Sequence, residues 1–354
     1  MVPYLFIFLL SCVGFLFDKY FNKYSILFFN LIFLYLLVLI GLRYEVGGDW
    51  INYLQNHTAI QISVFVDNDD LSILFNTEPF ILILNILSPN IYIFNFYCAL
   101  IFLIGLFALV SKCKDIYLSI VVAIPFLILL VGLGYQKQSV ALGLLMLSYY
   151  FYLNNNYKLF IFFSFTTFFS HYSTFFLILF IFYDLFIFKK FKINKIVIFI
   201  IIILIFIVLL MGYDKITRVL INNYIVDEDR KQSYGLIPRL AVHFISIFLY
   251  FISFNKWQKN TLINRLIIFN IFLTLITLPF VQTYSILIDR MLFYFMLIQI
   301  MILGNYKFIL LSNYYVLFRF TIFIFYFCVT LYWFTFSYFA SYWLPYKNIL
   351  IPMN

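Results

Sequence analysis

The chain has 354 residues, of which 66% are hydrophobic and only 10% are charged. A soluble domain carries about 25% charged residues, so this composition excludes one and indicates an all-α, polytopic integral membrane protein. The net charge of +9 is spread over short connections and forms no nucleic-acid patch. The abundance of Phe, Tyr, Ile, Asn and Lys follows from an AT-rich coding sequence and implies no aromatic platform. Three of the four cysteines lie in apolar runs and Cys113 sits between two lysines, which predicts neither a disulfide framework nor a zinc site.

About twelve apolar segments follow in order: 2–17, 24–42, 91–111, 116–133, 138–153, 157–170, 172–188, 196–213, 237–254, 264–280, 286–304 and 320–340. The first has no basic residue before it and no small-residue cleavage site after it, so it reads as a retained helix and not a signal peptide. The pair around His171 is short for two full spans, and reads as two tilted helices or as a broken pair. The whole of 1–354 reads as one membrane domain. Two long connections interrupt it, 43–90 and 214–236, and the first holds an interfacial or re-entrant helix in "FILILNIL" after Glu78 and Pro79.

Alternating the segments sorts the basic residues into two sets of 14 and 9. The larger set has short loops and 12 lysines among its 14 cations, and includes Lys112, Lys114, Arg265 and Arg319. By the positive-inside rule that set is cytoplasmic. The smaller set carries both long loops and eleven of the fourteen acids, and five of its nine cations are arginine: Arg43, Arg218, Arg230, Arg239 and Arg290. Arginine offers a planar fork of donors that fits phosphate or carboxylate oxygens in pairs. Snorkelling of helix-end arginines is the competing explanation.

Arg43, Lys137, His171, Arg239, Asp289 and Arg290 all fall near one membrane boundary on this topology. Ionic groups at such a depth mark a site or pathway, and clustered arginines there suit the diphosphate of a membrane lipid. Asp49 follows Gly47 and Gly48, which permit a tight turn or a close approach to a ligand; it either serves the site or pairs with Arg43. Glu78 either serves the site or favours the dipole of the helix that follows it. "DNDD" at 67–70 contains a D-x-D spacing, and "DEDRK" at 227–231 reads as a solvated loop. His171, in "FFSHYS" between two short apolar segments, is the first candidate for a general base. His57 reads as a loop residue and His243 as one inside a helix, both weaker candidates.

"RYEVGGDWINY", residues 43–53, resembles the Arg–x–x–x–Gly–x–Asp–x–x–x–Tyr signature of the EpsG and Wzy polysaccharide polymerases. "EPFILILNIL", "KQSVALGLLML", "FFSHYSTFFLILF", "DRMLFYF" and "YWLPYKNIL" resemble further stretches of that family in the same order. One departure is Lys137, where the family has arginine before glutamine; lysine keeps the charge and loses the fork. The resemblance implies a GT-C-like polymerase or ligase architecture of about 11–12 transmembrane helices in the bacterial inner membrane, active toward the periplasm. It implies O-antigen, capsule or exopolysaccharide synthesis from undecaprenyl-diphosphate-linked oligosaccharides, which serve as donor and acceptor. No metal or other cofactor is expected, and the partners are those lipid-linked glycans, membrane lipid and a chain-length regulator protein.

On this basis His171, Arg43, Arg290 and Asp49 are expected to be catalytic, and Lys137, Arg239, Arg218 and Glu78 to bind substrate. Departing diphosphate develops negative charge that preorganised arginines stabilise, here Arg43, Arg290 and Arg239. His171 takes the acceptor's proton, with Asp49 or Glu78 in reserve. A flippase of lipid-linked oligosaccharides and an O-antigen ligase are the alternatives. A transporter would place its site near the midplane between repeats, and no repeat is visible here.

Overall fold

A computed structural model describes residues 1–20, 22–66, 77–176, 179–181, 183–184, 233–257 and 262–350. Arg218, the predicted segment 196–213, "DNDD", "DEDRK" and nearly all of the second long connection lie outside the described residues. Helices dominate. They are α1 (Val2–Tyr20), α2 (Asn22–Gly41), α3 (Trp50–Phe65), α4 (Pro79–Ile86), α5 (Ile91–Val110), α6 (Ile116–Ala123), α7 (Gln136–Leu153) and α8 (Tyr157–Ser170). After the residues not described come α9 (Leu236–Ile252), α10 (Leu262–Thr277), α11 (Ser285–Phe295), α12 (Leu297–Gly304) and α13 (Ser312–Phe336). The protein is an all-α polytopic membrane protein. Four spans are long and apolar enough to cross a bilayer by themselves: Ile91–Val110, Leu262–Phe280, Ser285–Phe308 and Ser312–Phe336.

The centre of the bundle is a single buried post. Helix α6 continues without a break into a π-helix, Ile124–Gly132, and every residue of that π-helix is buried. Pro125 near its start has no N–H to give to an α-helical register, and the chain proceeds with the wider turn that π-helices use. A helix end leaves carbonyls without partners. Here Arg43 Nη1 donates to Gly132 O at 2.7 Å, and the Trp343 indole donates to Leu129 O at 2.9 Å. A cation at a helix C-terminus also favours the dipole.

Around the post, α5 packs along α7 at a point where two glycines face each other. A Cβ added to Gly105 would collide with the Gly143 carbonyl, and one added to Gly143 would meet Ile101 O at 2.6 Å. Small residues permit such close backbone approach between membrane helices.

The first long connection is ordered, which the sequence analysis did not foresee beyond the short helix at 79–86. Helix α3 is too polar to read as a span, but its buried residues Trp50, His57, Ile60 and Ser63 mark one inward face. His57, expected in a loop, therefore sits in a helix. Its Nδ1 lies 2.9 Å from Asn85 Oδ1 and its ring stacks on Phe94. Gln61 Nε2 donates to the carbonyls of Asn85 and Ser88, which fixes α3 to α4. Asn90 caps α5 through Tyr92 N–H and Ile93 N–H, as its type favours.

Ionic side chains gather at the two ends of the bundle. At the Asp115 end, Arg319 Nε meets Asp115 at 2.7 Å and Arg265 Nη1 meets Asp184 at 3.1 Å. Both arginines were expected in loops; Arg319 and Arg265 lie within α13 and α10 instead. The acids pair with them at that depth, and the hydroxyls of Tyr315 and Tyr152 donate to the same carboxylates; the last helix begins at Ser312 and not near 320. Lys112, Lys114 and Lys256 also bond within this end, to Asn154, Asn305 and Ile309.

At the other end residues 337–350 fold back over the first connection. Tyr44 N–H donates to Lys347 O, Ile349 N–H to Leu42 O and Gly47 N–H to Tyr342 O, and Lys347 Nζ meets Glu45 at 2.6 Å. Gly47 has φ +102, and a Cβ there would sit 2.7 Å from Leu133 O. Only glycine fits both the turn and that approach.

Overpacking in a close helix contact costs roughly 1–3 kcal/mol. Gly105→Val should therefore lower the thermal unfolding midpoint of the purified protein in detergent, whereas Ala108→Val, one turn away and only half-buried, should change it little.

Candidate functional site

The residues expected at the outer boundary meet around the amino end of α7. Tyr135, Gln136, Lys137 and Gln138 are consecutive, and between them they reach three neighbours. The Arg290 guanidinium lies over the Tyr135 ring at 5.3 Å. Gln136 bonds to Asn95 of α5. Lys137 Nζ sits 2.9 Å from Glu78 Oε2. Gln138 Nε2 donates to Arg290 O at 2.7 Å. One short stretch thereby joins the first connection, α5 and α11.

The first group in the site is Glu78, Lys137 and His171. Glu78 precedes Pro79 in extended conformation, φ −62 and ψ 135, and Pro at the first helical position then starts α4. His171 stands where α8 ends. Its backbone is extended, φ −161 and ψ 117, and a short 3₁₀ turn, Tyr172–Thr174, follows. The helix therefore stops at His171, as both readings of this region require. His171 Nδ1 lies 3.5 Å from Glu78 Oε1, an ion-pair distance. Burial opposes ionisation of Glu78, but the His171 imidazole and the Lys137 ammonium outweigh it and hold the carboxyl down at about 2.

The second group is Asp49 with Arg290, Tyr53 and Tyr135. Asp49 precedes α3, and Tyr53 lies one turn into it. Burial raises the Asp49 carboxyl, and the charge of Arg290 pulls it back. Tyr53 feels Asp49, Arg290, Arg43 and Tyr135, and burial keeps its phenol protonated. Tyr135 feels Arg290, Arg239, Asp289 and Asp49. These two phenols tie the carboxylates and guanidiniums into one cluster. Tyr135 was not anticipated. Tyr53 closes the 43–53 signature but had been given no role.

The third group is Arg239 and Asp289. Arg239 Nε donates to Asp289 Oδ1 at 2.7 Å, and its Nη2 donates to Oδ2. Both oxygens are used, the bidentate geometry that arginine offers carboxylates. Ser233 Oγ donates to the same carboxylate at 2.8 Å, and the guanidinium lies 5.2 Å from the Phe293 ring.

Arg43 differs from the other cations. It is only 2% exposed, and its Nη1 is given to Gly132 O. Burial lowers its guanidinium to about 10, so it stays charged at neutral pH. Its charge reaches Tyr53, while its contacts brace the end of the π-helix. Of the two alternatives for Asp49, the electrostatic partner in this structure is Arg290 and not Arg43.

His243, the other weak candidate, is buried in α9 away from this cluster. It bonds to Thr274 and Gln299, and Tyr326 completes that chain. Arg218 lies outside the described residues, as noted above.

Removing one partner of a mostly buried ion pair leaves an uncompensated charge, which costs about 3–5 kcal/mol. Arg239→Ala should destabilise the protein strongly, and Arg239→Lys, which keeps the charge and loses the fork, by only about a third of that. Unfolding in detergent followed by tryptophan fluorescence reads the difference; equal effects of the two variants would contradict it.

No curated protein and no solved structure is significantly similar to this chain. The EpsG family model matches residues 26–348, a span that contains all three groups of the site. The chain belongs to the EpsG family and is a membrane protein of the polysaccharide-polymerase type.

Proposed function

We propose that this protein is a metal-independent glycosyltransferase of the bacterial inner membrane, which polymerises undecaprenyl-diphosphate-linked oligosaccharides at the periplasmic face. The observation that carries it is the convergence on the amino end of α7 of Arg290, Lys137, His171, Asp49 and the Arg239–Asp289 pair, from widely separated parts of the chain. The positive-inside rule supports a periplasmic position for that end, and membership of the family supports the reaction type.

The acceptor is one lipid-linked repeat unit, and the donor is the growing glycan on the same lipid. An acceptor hydroxyl attacks the donor's anomeric carbon. The new glycosidic C–O bond forms as the anomeric C–O bond to phosphate breaks, and lipid diphosphate leaves with that electron pair. His171 takes the hydroxyl proton, a contribution of about 10²–10⁴-fold. Arg290 faces the growing negative charge, with Arg239 beside it. Fixed donors in a poorly hydrated site stabilise such charge without reorganising. Arg43 contributes through its field and through the brace it gives the π-helix. The diphosphate linkage already activates the donor, so the reaction needs no nucleotide.

The pairing of the charges favours this over a flippase. Asp115–Arg319 and Asp184–Arg265 at the opposite end of the bundle are buried ion pairs, whereas the ionic groups of the site gather at one end, which supports a one-sided site. An O-antigen ligase would use the same donor and differ in its acceptor.

Cells in which the gene is deleted should carry surface glycans one repeat unit long and accumulate unpolymerised lipid-linked units on the outer leaflet. Accumulation on the inner leaflet would instead identify a flippase. Arg290→Ala should shorten surface polymer drastically and Arg290→Lys partly, judged by gel electrophoresis of extracted glycan; full-length polymer from both would remove Arg290 from the mechanism.

A further inference from the structure

His171 and Glu78 form a more defined unit than a base with a reserve beside it. The two carboxylate oxygens of Glu78 have different partners: Oε2 takes Lys137 Nζ at 2.9 Å, and Oε1 faces His171 Nδ1 at 3.5 Å. Both ring nitrogens of His171 are buried and neither has a hydrogen-bond partner among the described residues; Nδ1 is the one that faces the Glu78 carboxylate. The His171 side chain is 19% exposed.

We propose that Glu78, pinned by Lys137, is a positioning residue that orients His171 from its Nδ1 side, so that Nε2 is the nitrogen turned to the acceptor hydroxyl. The assignment rests on the polymerase reading above and deepens it. The Lys137 ammonium pins one carboxylate oxygen, so that the other oxygen and a single direction remain for the histidine. The same arrangement takes Glu78 out of contention as the base. With both oxygens engaged and its carboxyl held far below neutrality, it has little tendency to take up a proton.

The groups that bear on His171 come from every element around it. Glu78 comes from the start of α4, Lys137 from α7 and Tyr172 from the same turn. Tyr294 comes from α11, where its hydroxyl lies 3.5 Å from Ser173 Oγ. A lysine suffices where the family pattern has arginine, because only a point charge on Oε2 is required.

The test uses the full-length protein purified in detergent, with lipid-linked repeat units extracted from deletion cells as substrate. Glu78→Gln keeps the size of the side chain and removes its charge. It should lower kcat about 10–100-fold, the effect usual for partners that orient a histidine, with KM nearly unchanged. Glu78→Asp, which keeps the carboxylate, should recover part of the lost kcat, and the unfolding midpoint of Glu78→Gln in detergent reads any structural effect separately. A merely structural role would lower that midpoint and would leave the kcat of the folded protein unchanged. Normal kcat in Glu78→Gln beside an inactive His171→Ala overturns this proposal alone. Polymerisation by His171→Ala overturns the base assignment, and with it this one.

Discussion

Charge in an apolar environment must be paired, and this constraint organises the molecule from end to end. Coulomb attraction grows as the local dielectric falls, but so does the cost of leaving water. A chain with so few ionic residues in so much hydrocarbon must therefore place each one deliberately. At the Asp115 end the pairs are closed. Asp184 is fully buried against Arg265, and Asp115 is enclosed by Arg319 and Tyr315. At the Arg43 end the pairs share members and keep partial exposure, as in Glu78 with Lys137 and His171. Closed pairs staple helices together. Shared and partly open pairs can give up a contact to a substrate and recover it afterwards.

The central post translates this arrangement into geometry. Its π-helical half ends at Gly132, and two residues later the chain reaches Tyr135 and the amino end of α7. Arg43 and Trp343 hold the last carbonyls of the post, and Gly47 packs on Leu133. Arg43, which the sequence offers as an anion ligand, is thus also built into the frame that holds the neighbouring ionic groups. Arginine is suited to this task because it stays charged even when burial lowers its guanidinium to about 10.

Much of this was legible in the sequence because the signals were hydrophobic length and charge. The segments at 91–111, 116–133 and 157–170 coincide with helices to within a residue or so, since a span announces itself by its length. The break at His171 and the helix after Glu78 were legible from their short apolar runs and from Pro79. Helix α3 was not, because a helix lying over the bundle needs only one apolar face and mixes polar residues freely into the rest. Arg265 and Arg319 were misplaced into loops for a related reason. A paired arginine can sit one or two turns inside a helix, and its partner, Asp184 or Asp115, is remote in sequence. Tyr135 escaped notice because nothing local distinguishes it from the other tyrosines; its significance comes from the arginines and acids that the fold brings to it.

The return of residues 342–349 onto the first connection bears on how the molecule is made. Glu45 and Lys347 are joined across 302 positions of chain, and Tyr4 is tied to Trp343 in the same way. During synthesis the turn at Gly47 emerges early and must wait for its clasp while hundreds of further residues are inserted. Until Trp343 arrives, the π-helix lacks one of its two caps and the loop that carries Asp49 has no lid of backbone hydrogen bonds. The first connection therefore reaches its final hydrogen bonding only when the last residues of the clasp have been inserted.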